Sequence, residues 1–286
     1  MNFFKEDKLY LITGATGFLG ECLVKELLKK NIKLRVVSRN EGKLIELKQK
    51  FPSIEIYTGD VSNKFDTHQA CKGVSGVYHL AAYKHVGLAE KFSKECTQSN
   101  VIASLNILEE SLQNKFDFVI GISTDKAAQV SGVYGATKYL METLFQQYER
   151  LNPETQYRLV RYGNVLYSTG SVLCKWKKLL QEGGEVVVTD TNATRFFWTR
   201  DEAVQLIFDC LQKAENSNPY VPHMKAMSIG SLLDAMAAKY LPAGSELKIK
   251  TIGLQPGENL HEKILQEGPY SNEVDFFTVE EIMEKI

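Results

Sequence analysis

Two short stretches of this sequence carry side chains able to move protons. Tyr134 and Lys138 stand four apart in Tyr134-Gly135-Ala136-Thr137-Lys138, so on a helix they share one face. An ammonium beside a phenol stabilises phenolate and lowers its pKa from about 10. Such a tyrosine can take a proton from a hydroxyl while hydride leaves the same carbon. Taken alone, the spacing is also that of an ordinary amphipathic helix. Just upstream, however, Ile122-Ser123-Thr124-Asp125-Lys126 lines up two hydroxyls, an acid and an amine at the end of an apolar run. Ligands of open α/β sheets bind at the carboxyl ends of strands, where this run is placed for proton transfer.

These side chains need a scaffold, and the pattern supplies one. Residues 8–13, 33–38, 54–58, 76–80, 116–122 and 157–162 read as strands rich in Val and Ile. Between and after them, 18–30, 41–50, 88–113 and 134–151 read as helices, with Leu19, Leu23 and Leu27 on one stripe of the first. Strands alternating with helices predict a parallel sheet covered on both faces, wound right-handed into a doubly wound, Rossmann-type α/β fold. The second half reads differently. A helix over 172–181 is followed by short elements broken by Gly, Pro and Asn. Thr199 and Glu202 form a capping box opening a helix over 201–213. Ser231 starts a further helix, and Pro256-Gly257-Glu258 precedes another. We divide the chain into a dinucleotide-binding unit, 1–165, and a smaller substrate-binding lobe, 166–286, some of whose elements return to the sheet.

Thr13-Gly14-Ala15-Thr16-Gly17-Phe18-Leu19-Gly20 ends the first strand and opens the first helix. This is the setting a dinucleotide requires: Gly14 for the tight turn, Gly17 for close approach of a pyrophosphate, Gly20 for helix–strand packing. The helix N-terminus adds N–H groups and partial positive charge. At the end of the second strand an NAD site places an acid on the ribose hydroxyls. Here Ser38-Arg39-Asn40 stands there, with Lys43 beyond. Arg39 can pair with a 2′-phosphate that an acid would repel, so the reading is NADP. Asp60 and Val61, after the third strand, are placed to meet the adenine.

Composition excludes several classes. The formal net charge of −1 gives no signature of nucleic-acid binding. The five cysteines form no close pair and no Cys/His cluster with metal spacing, so reduced thiols and no metal are expected. No stretch reaches the roughly 18 apolar residues of a membrane span, and no leader pattern opens the chain, so a soluble cytoplasmic protein is expected.

The glycine turn, the Ser/Thr pair and the Tyr134/Lys138 pair together resemble the extended short-chain dehydrogenase/reductases. Ser123-Thr124-Asp125-Lys126-Ala127-Ala128 followed by Tyr134 to Lys138 is similar, more specifically, to the 5-inverting UDP-N-acetylglucosamine 4,6-dehydratases. Further matches are Ala81-Ala82-Tyr83-Lys84-His85-Val86, Arg161-Tyr162-Gly163-Asn164-Val165, Thr194-Arg195-Phe196 and Pro256-Gly257-Glu258-Asn259-Leu260-His261-Glu262, in family order along nearly the whole chain. Dehydratases that retain C5 configuration carry Asp-Glu where Asp125-Lys126 stands. The resemblance implies an NADP-dependent lyase acting on a UDP-linked amino sugar in polysaccharide biosynthesis, assembled as a homo-oligomer. It adds Ala81, Lys84 and Asn100 to the cofactor side. On the substrate side it points to Lys84, Asn164, Val165, Arg195, Gln255 and Glu258, with Arg195 a bidentate candidate for the diphosphate.

The implied chemistry gives each residue a task. Tyr134, assisted by Lys138 and Thr124, takes the C4 hydroxyl proton as hydride leaves. Lys126 is the candidate base for C5, and Asp125 the candidate acid for the departing C6 hydroxyl. A lysine base must lose its proton, so its pKa has to fall, with Lys138 and Lys84 the expected like-charge neighbours. Three departures from the family stand out: Gln255 where Arg usually precedes the Pro-Gly-Glu motif, no proline between Ala128 and Tyr134, and a somewhat shorter chain. Competing readings are a 4-epimerase, a 4-ketoreductase, a dehydratase of other regiochemistry, or an NADP-sensing binding protein. The last is expected to have lost Tyr134 or Lys138.

Overall fold

Strands and helices alternate from β1 to β6, as the period-two and period-3.6 patterns require. The structure, a computed structural model, describes residues 7–255 and 257–286. The first half runs β1 (Leu9–Thr13), α1 (Phe18–Leu28), β2 (Lys33–Ser38), α2 (Glu41–Lys50), β3 (Glu55–Thr58), α3 (Lys64–Cys71), β4 (Val74–His79), α4 (Val86–Lys91), α5 (Ser93–Thr97), α6 (Ala103–Asn114), β5 (Phe118–Thr124), α7 (Val133–Leu151) and β6 (Gln156–Tyr162). The second runs β7 (Asn164–Val165), α8 (Val172–Gln181), β8 (Val186–Val188), β9 (Thr194–Trp198), α9 (Arg200–Lys213), β10 (Pro219–Tyr220), β11 (Ala226–Ser228), α10 (Ile229–Tyr240), β12 (Ile249–Thr251) and α11 (Val279–Lys285).

The main sheet has seven strands in the order β10-β6-β5-β4-β1-β2-β3, and every neighbouring pair is parallel. The order reverses at β1 and β4, the switch point where such sheets open a crevice beyond their carboxyl ends. Alternate residues of β1 face opposite layers. Tyr10 and Ile12 join the cluster of Leu23, Leu27 and Ile207 from α1 and α9. Leu11 joins Ile107, Met141 and Phe145 from α6 and α7. A separate apolar cluster in the second half unites Leu173, Trp176 and Leu180 of α8 with Val186, Met227 and Met236. Part of the second half joins the sheet: β10 pairs with β6, and α9 packs on α1. The capping box also forms, Thr199 and Glu202 each accepting the other's backbone N–H.

Two expectations fail. The helix expected over 88–113 is broken into α4, α5, a π-turn at Gln98–Ile102 and α6. The π-turn adds a residue that aims Asn100 inward, where its side chain bonds both backbone groups of Tyr83 at 2.7 and 3.0 Å. No helix forms directly after Gly257-Glu258 either, since the next one, α11, begins only at Val279, and Pro256 lies outside the described residues. The chain there is drawn instead onto β9, with Thr194 N–H bonding Leu260 O at 3.0 Å and a bridge between Thr194 and His261. Tertiary pairing overrides local propensity there.

Candidate active site

A cavity of about 610 Å³ runs across the switch point from the glycine turn to Tyr134. Gly14 has a positive φ of 69°, and a Cβ there would lie 2.7 Å from Ala81 N, so the β1 turn meets the β4 end only through glycine. Gly17, which precedes α1, brings no capping side chain. Thr16, Gly17, Phe18, Leu19 and Gly20 then present the helix N-terminus to the cavity. An anion fits there, and the crevice continues past Ser38, Arg39, Lys43, Asp60 and Val61. These groups suit a nicotinamide dinucleotide. Arg39 reaches across to Asp60 at 3.7 Å, with its side chain 71% exposed. Asn40 is not in the cavity wall; its side chain caps α2 by accepting Lys43 N–H at 2.9 Å.

Buried polar groups fix this turn relative to α7. Thr13 Oγ1 accepts Ala81 N–H at 3.0 Å and bonds His79 Nδ1 at 2.8 Å. His79 Nε2 bonds Ser104 Oγ at 3.0 Å, which in turn donates to Asn100 O. Asn100, wholly buried, donates to Thr137 of α7 at 3.0 Å. Asn100 does not line the cavity; it ties the loop after β4 to the helix bearing Tyr134. Burial pushes His79 down to about 3, so it stays neutral in this chain of bonds.

At the other end of the cavity β5 delivers Thr124, and a 3₁₀ turn delivers Asp125 and Lys126. Thr124 Oγ1 donates to Asp125 Oδ1 at 2.9 Å, and Lys126 Nζ donates to the same oxygen at 3.1 Å. Gly135 of α7 lies so close that a methyl group there would overlap the Lys126 carbonyl. Asp125 is buried, and its Oδ2 has no hydrogen-bond partner. Lys126 Nζ also lies 3.5 Å from Glu262 Oε1. Burial works against its charge, but Asp125 and Glu262 outweigh burial and hold the amine above the usual lysine range. The expected depression by Lys138 and Lys84 is thus overturned, because the neighbours that fold against Lys126 are carboxylates.

Tyr134 and Lys138 share a helix face yet serve different neighbours. Lys138 falls on the buried stripe of Met141 and Phe145, and its Nζ donates to Ile122 O at 2.7 Å. Burial, offset in part by Glu142, lowers it to about 8. Burial pushes the Tyr134 phenol up to about 12, while a hydrogen bond with Thr124 and the charge on Lys126 pull it down. The charge of Lys126 therefore acts on this phenol. Ser123, in the same cavity wall, donates to Glu142 at 2.5 Å, within a buried Glu142–Arg161 ion pair.

A second cavity, about 590 Å³, opens beside the first and shares Lys84, Asn164 and Val165 with it. Arg195 and Glu258 stand in its wall. Arg195 does not present a free fork. Its Nη1 donates to Thr194 O and Leu260 O, and its Nε lies 3.8 Å from Glu262. Lys84 Nζ donates to Thr169 O at 3.0 Å. Gln255 is outside both cavities, bonding Gly253 O. Among the described residues no cluster of His, Cys, Asp and Glu could hold a metal, and no helix is long and apolar enough to cross a membrane.

The family model described as polysaccharide biosynthesis protein matches residues 10–284. The chain belongs to this family. It is 35% identical over 262 residues to the UDP-N-acetylglucosamine 4,6-dehydratase (inverting) of Campylobacter jejuni subsp. jejuni serotype O:2, covering 89% of this chain and 76% of that one. It is 32% identical over 268 residues to the UDP-glucose 4-epimerase of Rickettsia akari, covering 91% and 78%. The X-ray structure of Pen from Bacillus thuringiensis superposes with a TM-score of 0.91 at 27% identity, over 99% of this chain and 97% of that one. With these relatives, its fold and site are those of an extended short-chain dehydrogenase/reductase of the nucleotide-sugar type.

Two charged residues of this family member escaped the sequence reading. Lys175 of α8 lines the second cavity, but a lysine on an amphipathic helix carries no local signal. Glu262 was legible only as one letter of the Pro256-to-Glu262 motif. Nothing in its own surroundings points to Lys126, which it meets through the fold.

Proposed function

We propose that the protein is an NADP-dependent UDP-N-acetylglucosamine 4,6-dehydratase that inverts C5 and yields a UDP-linked 4-keto-6-deoxy amino sugar for glycan synthesis. The observation that carries this reading is the Asp125–Lys126 pair, 3.1 Å apart, in the wall that also presents Tyr134. A redox reaction at C4 alone needs a phenol but no second acid and base. Loss of water across C5 and C6 needs both.

When bound, the nicotinamide cofactor supplies the acceptor and later the donor of hydride. Gly14 to Gly20 would hold its pyrophosphate, and Arg39 with Lys43 its 2′-phosphate. Tyr134, bonded to Thr124, takes the proton of the C4 hydroxyl; Lys138, fixed on Ile122 O, orients this end of α7. Lys126 starts as an ammonium. Moving one proton from its Nζ to Asp125 Oδ1 breaks an N–H bond and forms an O–H bond. Both charges vanish; burial favours this, and the carboxylates that hold the ammonium oppose it. The amine is then the base for C5, and the carboxylic acid protonates the C6 hydroxyl as it leaves. Lys84, Lys175 and the unengaged edge of Arg195 offer positive charge to the diphosphate, and Glu258 suits a ribose hydroxyl. Apolar side chains exposed on α6 and α7, among them Leu112, Tyr139 and Leu140, suit pairing of two copies in the cytoplasm.

A 4-epimerase is the second reading, favoured by relatives of that name. Incubation with UDP-N-acetylglucosamine in heavy water, read by proton NMR, separates the two. A 4-keto-6-deoxy product with deuterium at C5 supports the dehydratase, and its couplings show which face received the deuteron. A C4 epimer without deuterium removes that reading.

A further inference from the structure

Glu262 lies in the segment that crosses β9, its backbone N–H bonded to Ser271 Oγ at 2.9 Å. The residue is 1% exposed. Asn259 Nδ2 donates to Oε2 at 3.2 Å, while Oε1 has no hydrogen bond. That bare oxygen stands 3.5 Å from Lys126 Nζ and 3.8 Å from Arg195 Nε. A carboxylate so deeply buried survives only beside positive charge. The reaction assigned above uses Asp125, Lys126 and Tyr134 and leaves Glu262 without a task.

We propose that Glu262 is the positioning residue of Lys126, holding Nζ in the cavity wall and stabilising the positive charge that forms there as the C5 proton arrives. The proposal rests on the dehydratase reading. Once Lys126 has passed its proton to Asp125, the base is neutral. Removing the C5 proton breaks a C–H bond and forms an N–H bond. The C–H electron pair becomes the C5–C6 double bond as the hydroxyl departs with the proton of Asp125. The ammonium reappears where the lysine side chain is only 16% exposed, so water offers it little. Asp125 is occupied with the leaving group at that moment. Glu262 remains, and a fixed opposite charge at the site of developing charge is the strongest electrostatic aid a protein can give. Burial, with Asp125 beside it, raises the Glu262 carboxyl above the usual carboxylate range, while Lys126 and then Arg195 pull it back toward the ionised form. The charged and titratable groups facing Lys126 are Asp125 from its own turn, Glu262 from the C-terminal segment, Arg195 from β9 and Tyr134 from α7.

The test uses the full chain with Glu262→Gln and Glu262→Asp, each first shown to bind NADP. Side-chain NMR of labelled lysine follows the titration of Lys126 without substrate. Glu262→Gln is expected to lower its midpoint by at least about one pH unit, and Glu262→Asp to restore most of that loss. In rapid-mixing experiments with UDP-N-acetylglucosamine, Glu262→Gln still reduces cofactor at C4 but forms product about 100-fold more slowly, so reduced cofactor accumulates on the enzyme. KM stays within about threefold, because Glu262 does not touch the sugar. An unchanged Lys126 midpoint, full turnover, or equal slowing of C4 oxidation and product formation overturns the proposal. Absence of a 4-keto-6-deoxy product from the unmutated protein overturns the dehydratase reading instead, and the titration still decides whether Glu262 holds the charge of Lys126.

Discussion

The glycine turn after β1 and the charge cluster around Lys126 both prepare a cavity wall for an ion, by opposite means. The turn is local. One short stretch provides the strand end, the bend and the helix N-terminus, and its attraction comes from main-chain groups that need no particular side chain. The cluster is assembled from far apart. Asp125 and Lys126 come from the end of β5, Arg195 from β9, and Glu262 from the irregular segment near the C-terminus. A backbone site tolerates change outside its glycines. A cluster of opposed buried charges does not, because removing one partner leaves the others uncompensated. Binding of the cofactor and chemistry on the sugar should therefore respond to mutation independently.

The sharpest break between the two regions is Lys126→Ala. We expect NADP affinity to stay within about twofold, since no part of the turn is altered, while turnover falls by about 1,000-fold or more, as for loss of a general base. Cofactor titration by protein fluorescence, set beside the NMR assay for product, measures both. Turnover near the parent rate removes Lys126 from the mechanism and leaves the cluster a purely structural ion network.

The same contrast explains what could be read in advance. The parallel, doubly wound sheet followed from short-range periodicity, because each strand–helix unit carries its own instructions. The glycine turn was legible for the same reason, down to Gly14. The neighbours of Lys126 were not. Spacing put Lys138 and Tyr134 on one face of α7, but it could not show that Lys138 lies in the stripe of Met141 and Phe145 and reaches Ile122 O. It could not show that a carboxylate far along the chain would close on Lys126 and reverse its expected pKa shift. The interruption before α6 was hidden too. A π-turn keeps the helical pattern of apolar residues nearly intact while it rotates Asn100 inward.

At the local site the expected effects are smaller. Arg39 is exposed and only loosely paired with Asp60, so nothing in the fold depends on it. Arg39→Ala should weaken NADP binding about tenfold, the loss of one charge-assisted contact to a phosphate, and leave NAD binding nearly unchanged. Calorimetric titration with each dinucleotide checks this. Equal weakening of both would mean that Arg39 holds something other than the 2′-phosphate, and the preference for NADP would have to be abandoned.

The smallest effect concerns stability and joins the two regions through α7. Lys138 titrates at about 8 in the folded chain because burial disfavours its charge. In the unfolded chain an ordinary lysine value near 10.4 returns. Below pH 8 both states hold the proton, and the folded state carries the full penalty of a buried ammonium. Between about 8 and 10.4 the unfolded chain binds more protons, so stability rises with pH, and above that window the penalty is gone. Lys138→Met removes the charge while keeping an unbranched chain in the stripe beside Met141. The variant should melt a few degrees higher than the parent at pH 7, with the gap narrowing as pH climbs through the window. Thermal melts at matched pH values measure the gap. A constant gap would assign the gain to packing alone, and a lower melting temperature at every pH would show that the bond from Lys138 to Ile122 O outweighs the burial of its charge.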